Sequence, residues 1–300
     1  MREKVKKSIT YKRLIIIFSI ILIISITLLF IFLILRKENL LSIQDNYKNV
    51  DIYENSNADE FKESLNEKEK VLVEVKEAKV PTLMYHAITD DLSYIEYSIN
   101  AVSPKTLEEQ LKLLNDEEYE TLFFDDLDEI YKYKKPVILT FDDGFYDFYE
   151  NAFPLLKKYN IKATLFMVVN YINCENYCTL DSLKEMRDSG LIKIESHTLT
   201  HPYLTSLSKN DMEDQINRSY TLLFEYLGTT PQALCYPYGD YNNIVDSIVK
   251  KQYKFAITMN EGLYDMNVNT YYNIPRYTIG RTTSLDRFRT LVNNSKVVLR

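Results

Sequence analysis

From Pro81 to the C-terminus, short apolar runs alternate with segments whose apolar positions recur every three or four residues. The short runs predict strands at Thr82–Tyr85, Thr121–Phe124, Val137–Phe141, Ala163–Val168, Ile192–Glu195, Ala233–Tyr236, Phe255–Thr258 and Tyr272–Pro275. The amphipathic segments predict helices at Tyr146–Tyr159, Leu180–Asp188, Asn210–Leu227, Ile244–Lys251 and Leu285–Val292. A further helix opens at Ser103-Pro104, cap and first-turn proline, and runs through LEEQLKLL. Strands alternating with helices predict parallel β/α units. About eight strands over ~220 residues suit a barrel, complete or distorted, with an open doubly wound sheet as the alternative. No Gly-x-Gly-x-x-Gly occurs, so a dinucleotide site has no support.

The N-terminal part has a different pattern. Leu14 to Leu35 is an uncharged run of 22 residues, LIIIFSIILIISITLLFIFLIL. As a helix it would rise ~33 Å, enough to cross a ~30 Å hydrocarbon core. Arg2, Lys4, Lys6, Lys7, Lys12 and Arg13 precede it, which keeps the N-terminus cytoplasmic and exports the rest of the chain. A cleaved signal peptide would have a shorter apolar region and a small-residue cleavage site. This run ends in Arg36-Lys37 instead, and no cysteine comes directly after it to take a lipid. Residues 36–79 contain no glycine or proline and are rich in Asn, Glu, Lys and Asp. They read as an extracellular stalk, partly helical around Ala58–Ala78. The expected organisation is a basic cytoplasmic segment (1–13), a single-pass anchor in the cell membrane (14–35), a stalk (36–79) and an extracellular domain (80–300).

Charge obeys the same division. The whole chain carries −7, but residues 1–37 hold eight basic residues and one acid, leaving roughly −14 on the remaining 263. That balance argues against a nucleic-acid partner. Three cysteines exclude a disulfide framework and a four-cysteine zinc cluster. Cys174 and Cys178 flank a short loop and could pair or stay free. Cys235, inside a predicted strand, reads as a small packing residue.

The residues suited to chemistry converge on one rim. Asp142 and Asp143 end the strand in PVILTFDDGF, and a buried strand closing in two carboxylates is costly without a cation or hydrogen-bond donors. Neighbours on an extended chain point to opposite sides, so one Asp could bind a metal while the other faces a water. Alternatively, one caps the next helix. His197 and His201, in ESHTLTHPYL, have the i, i+4 spacing of zinc ligands, but Pro202 disfavours a helix there and predicts a loop. Two histidines and a carboxylate form a common catalytic zinc set with one open position. His86, in PTLMYHAI, also comes after a predicted strand and could be a general acid, a fourth ligand or a core imidazole.

These motifs resemble the polysaccharide deacetylases of carbohydrate esterase family 4, the NodB-homology domain. The resemblance rests on TFDDG at 140–144 with FYDFYENAFPLLKKYNIKATLFMV after it, on ESHTLTHP, and on CYPYG at 235–239. It covers roughly residues 80–290. It implies a distorted (β/α)7-8 barrel, α/β in class, here preceded by one transmembrane helix and a stalk. It implies that Asp142 is the general base and that Asp143, His197 and His201 hold a divalent metal, usually zinc. It implies that the Tyr238 N–H helps bind the oxyanion. Two positions depart from the family. Cys235 stands where the family has an arginine, and no histidine lies beyond His201 to serve as acid. PTLMYHAI resembles the start of a circularly permuted branch that includes exported poly-β-1,6-N-acetylglucosamine deacetylases. There the acid histidine precedes the Asp-Asp motif, which makes His86 the expected acid. Arg276, in YNIPRYTI at another predicted strand end, is a candidate to replace the missing guanidinium.

The expected function is metal-dependent removal of N-acetyl groups from an extracellular N-acetylglucosamine polymer, either peptidoglycan or poly-β-1,6-N-acetylglucosamine. The expected partners are that glycan and the membrane, with the chain acting as a monomer. A catalytically degenerate glycan-binding relative is the alternative, and a different amidohydrolase or O-acetyl esterase would share the site. With no tryptophan in the chain, sugar stacking falls to tyrosines near the motifs: Tyr146, Tyr203, Tyr238 and Tyr241.

Overall fold

The computed structural model describes residues 75–299. The basic segment, the apolar run and the stalk up to residue 74 lie outside them. Among the described residues no helix is long and apolar enough to cross a membrane.

The chain runs β1 (Val75–Val80), β2 (Thr82–Tyr85), α1 (Pro104–Asp116), β3 (Glu120–Leu122), β4 (Pro136–Phe141), α2 (Phe153–Tyr159), β5 (Ala163–Met167) and α3 (Leu180–Asp188). It continues β6 (Ile192–Ser196), α4 (Lys209–Leu227), β7 (Ala233–Cys235), α5 (Asn243–Val249), β8 (Phe255–Glu261), β9 (Tyr264–Asp265), β10 (Ile274–Thr278), α6 (Leu285–Val292) and β11 (Lys296–Leu299). Side chains start the helices: Ser103 Oγ accepts from the Thr106 N–H at α1, and Ser208 Oγ from the Asp211 N–H at α4. Gly228 ends α4 in the left-handed conformation.

Seven parallel strands neighbour one another in the order β2-β10-β8-β7-β6-β5-β4. The ring closes because β4 also pairs with β2, from Thr82↔Ile138 to Tyr85↔Phe141. This closure excludes the open doubly wound sheet. β3 pairs with the first half of β4, beside the ring. Alternation along β4 builds two layers: Val137, Leu139 and Phe141 pack outward against α1, α2 and α6, while Ile138 joins Phe166, Ala233, Phe255, Ile257 and Ile274 in another cluster. Burial on both faces explains why these strands read as continuous apolar runs.

Three parts differ from the sequence expectation. Residues 75–80, partly assigned to a helical stalk, form β1, which pairs antiparallel with β9 and β11. A register shift between Val75 and Glu77 breaks the two-residue alternation that would have marked the strand. The helix predicted at Tyr146–Tyr159 is present over those bounds, but a π-helical turn at Phe148–Ala152 interrupts it before α2, which has Pro154 in its first turn. The last predicted strand slides from Tyr272–Pro275 to Ile274–Thr278. Arg276 is therefore in the middle of β10 and not at a strand end.

Candidate active site

The loops after β2, β4, β6 and β7 meet at the C-terminal end of the barrel, around a cavity of about 590 Å³. Asp142 continues the inward-facing set of β4 and is 2% exposed. Its two carboxylate oxygens receive Nη1–H and Nη2–H of Arg276, each at 2.7 Å. Arg276 is fully buried. Its Nε–H donates to the Thr258 carbonyl at 3.0 Å, a second Nη1–H reaches Thr140 Oγ1 at 2.9 Å, and Nη2 lies 3.1 Å from Cys235 Sγ. Burial alone would raise the Asp142 carboxyl; the guanidinium more than reverses this and holds it far below the ordinary carboxylate range. Cys235 is thus more than a packing residue. It is a small side chain at the point where β10 delivers an arginine to Asp142.

After Asp142 the chain turns sharply. Asp143 has φ 75° and Gly144 φ 84°. A Cβ at Gly144 would fall 2.1 Å from Met167 Sδ at a positive φ, so any other residue would be strained and would have to displace that side chain. The turn places Asp143 Oδ1 3.5 Å from both His197 Nε2 and His201 Nε2. His197 comes directly after β6, and its Nδ1 sits 2.8 Å from the Cys235 carbonyl. A carbonyl can only accept, so Nδ1 carries the proton and the Nε2 lone pair is free for a cation. The His201 loop is non-helical, held by Thr198 Oγ1 accepting from the His201 N–H at 3.1 Å. Burial lowers His201 and takes His197 down to about 3, so His197 is neutral near pH 7. Burial, and then the charge of Asp142, pushes Asp143 up to about 7.

One carboxylate and two imidazoles, with ligand atoms within 4.8 Å of one another, fit a divalent metal of the zinc type. Asp142, His197 and Cys235 are equally close but fit poorly. Arg276 holds the Asp142 oxygens, and burial raises the Cys235 thiol well above its usual value, keeping it protonated. Backbone strain is concentrated here. Among the described residues, four of the eight non-glycine positions with positive φ are Asp143, Thr198, His201 and Tyr238, and such strain persists only where the surroundings over-determine it.

His86 comes after β2 and lines the cavity. Burial lowers its pKa, and among the described residues its buried Nδ1 finds no hydrogen-bond partner. Tyr238 occupies the turn after β7 with φ 58°. Its ring stacks on Tyr203 at 3.9 Å and meets the edge of His201 at 4.6 Å. The structure therefore gathers all seven residues singled out in the sequence. Of the four tyrosines proposed for stacking, Tyr203 and Tyr238 line the cavity. Tyr146 packs on Tyr149, and Tyr241 stacks on Tyr236. Sequence reasoning missed Tyr94, Glu96 and Tyr97 on the β2–α1 loop, and Phe145, Tyr171 and Tyr177 opposite. Phe145 directly follows the TFDDG motif; for the others the one available signal was their position after strand ends. Cys174 and Cys178 are both free thiols.

The chain is similar to several known proteins. The family described as polysaccharide deacetylase matches residues 130–256. YxkH of Bacillus subtilis (strain 168), a protein named for the polysaccharide deacetylases, is 34% identical over 202 residues, covering 65% of this chain and 70% of its own. The poly-beta-1,6-N-acetyl-D-glucosamine N-deacetylase of Staphylococcus aureus (strain MSSA476) is 34% identical over 203 residues, covering 60% of this chain and 68% of its own. A polysaccharide deacetylase structure from Bacillus cereus matches with a TM-score of 0.68 at 33% identity, over 72% of this chain and 69% of that one. The Streptococcus pyogenes deacetylase PplD, solved with acetate, matches with 0.66 at 30% identity, over 71% and 98%.

Proposed function

Because the chain belongs to the polysaccharide deacetylase family, we propose that it removes N-acetyl groups from an extracellular β-1,6-linked N-acetylglucosamine polymer. The chain is a hydrolase of that family; the polymer, the residue roles and the location are our reading. The observation that carries the reading is one cavity holding an ionised Asp142, clamped by Arg276, beside Asp143, His197 and His201. The polymer is supported by the likeness to the Staphylococcus aureus enzyme and by His86 preceding the Asp-Asp motif, the order of the circularly permuted branch. We place the domain outside the cell as a monomer, carried by the 14–35 anchor and the stalk.

An N-acetyl group is a stable amide, and its hydrolysis needs an activated water, a stabilised oxyanion and a proton for the amine. A divalent zinc held by Asp143, His197 and His201 would polarise the carbonyl and lower the pKa of water. Asp142 takes the proton of the attacking water, and Arg276 keeps that carboxylate ionised and aimed. The Tyr238 N–H donates to the oxygen that gains charge. His86 gives a proton to the departing nitrogen as the C–N bond breaks, leaving acetate and a free amine. The glycan-binding alternative drew on Cys235 in place of the family arginine. With Arg276 paired to Asp142, that argument loses its main support.

The test is acetate release by the full-length, zinc-loaded protein from β-1,6-N-acetylglucosamine oligomers and from peptidoglycan. Release from the oligomers, lost in Asp142→Asn, is the expected result. Release from peptidoglycan alone would replace the polymer. Zinc binding without release from either would favour the glycan-binding reading.

A further inference from the structure

The β2–α1 loop is built as a fixed wall of the cavity. Asp147, 5% exposed, accepts from the Ile88 N–H at 3.0 Å and from the Tyr94 hydroxyl at 2.8 Å. Asn151 Nδ2 donates to the Ile88 carbonyl at 2.8 Å. At the far end the Arg281 N–H donates to the Ile99 carbonyl at 2.9 Å. Gly280 touches the same carbonyl so closely that a Cβ would lie 2.4 Å from it. Between these fastenings the loop presents Glu96 to the cavity that holds Asp143 and His201.

Glu96 takes part in none of the ion pairs among the described residues, so its charge has no cation partner there. A fully acetylated chain is neutral and offers this carboxylate no counter-charge. Each turnover, however, turns a neutral acetamide into an amine that is cationic near neutral pH. Tyr97 and the Tyr203–Tyr238 stack beside Glu96 offer flat faces for the apolar side of a sugar ring.

We propose that Glu96 makes this wall a subsite for a glucosamine ammonium, so that the enzyme prefers chains already carrying free amines beside the reacting unit. The proposal rests on the deacetylase reading for its biology, but the recognition itself can be measured without turnover. Glu96→Gln keeps the side chain's shape and an oxygen acceptor while removing the charge, so it separates ion pairing from hydrogen bonding to sugar hydroxyls.

Two measurements test it, both on the full-length, zinc-loaded protein. Calorimetry with a β-1,6-glucosamine pentamer should show Kd about two- to fivefold weaker in Glu96→Gln at low salt, the range of a solvent-accessible ion pair. The gap should close near ~1 M salt, where the Debye length is ~3 Å, and Glu96→Asp should restore part of it. In wild type, kcat/KM should be higher for an acetylated pentamer bearing one glucosamine than for the fully acetylated one, and this ratio should fall toward one in Glu96→Gln. Equal Kd values, or a ratio that survives the substitution, would overturn the subsite. If neither pentamer is hydrolysed while the salt-sensitive Kd difference stands, the deacetylase reading fails on this polymer and the subsite remains.

Discussion

Replacing Arg276 with methionine tests the polar core of the site. Methionine is close to arginine's stem in length but removes every donor. Asp142 then keeps no cation at a position only 2% exposed, and the Thr258 carbonyl loses the Nε–H. Thr140 keeps its own bond to the Leu83 carbonyl, so the loss centres on Asp142. Breaking one side of a buried ion pair costs about 3–5 kcal/mol, and at ~2–4 °C per kcal/mol for a domain of this size the melting temperature should fall by about 6–20 °C. The pH dependence carries the sign. In wild type, burial works to raise Asp142 and Arg276 lowers it further than burial raises it. Its stabilisation is therefore present above the unfolded value near ~4 and is lost as pH falls through the folded value. In the variant burial acts alone, so the penalty grows as pH rises above ~4. The gap between the two proteins should be widest near pH 7 and narrow as pH falls toward ~4, where the variant's buried Asp142 takes up a proton; near pH 3 part of the gap remains, because the wild-type carboxylate is still paired with Arg276 there. The assay is thermal unfolding of both metal-stripped proteins by circular dichroism across that range. A gap of the same size at both pH values would refute the electrostatic argument and assign the loss to packing.

Three further outcomes rest on the same geometry. Asp147→Asn cannot accept at both oxygens, so the wall carrying His86 and Glu96 should loosen; KM should rise several-fold, with a smaller change in zinc affinity by titration. Gly144→Ala adds a methyl group 2.1 Å from Met167 Sδ at positive φ, which should destabilise the domain by about 1–3 kcal/mol in urea and weaken zinc binding together. Zinc affinity should fall about tenfold per pH unit below pH 7, because the metal-free Asp143 sits at about 7 and must lose its proton to bind; an affinity flat from pH 7 to 5 would contradict this.

Much of this site was legible in the sequence because strand ends carry it. β4 closing in Asp142-Asp143-Gly144 and β6 leading to His197 placed the carboxylates and imidazoles on one rim before any contact was known. The Asp142–Arg276 pair was harder to read. Its partners are 134 residues apart, and the shift of the last barrel strand along the chain decides whether Arg276 faces Asp142. Glu96 and the aromatic wall were invisible for a different reason. Loop residues have no periodicity, and what fixes this loop is Asp147, which reads as an ordinary polar position after the motif. β1 was missed because its register shift hides the alternation.

The decisive experiment is acetate release by the full-length protein from β-1,6-N-acetylglucosamine oligomers, first stripped of metal and then titrated with zinc, beside His197→Gln. The expected result is no release without metal, recovery that saturates at one zinc per chain, and no recovery in the variant. Full activity in the stripped protein, or equal recovery in His197→Gln, would contradict the assignment of Asp143, His197 and His201 as the metal site.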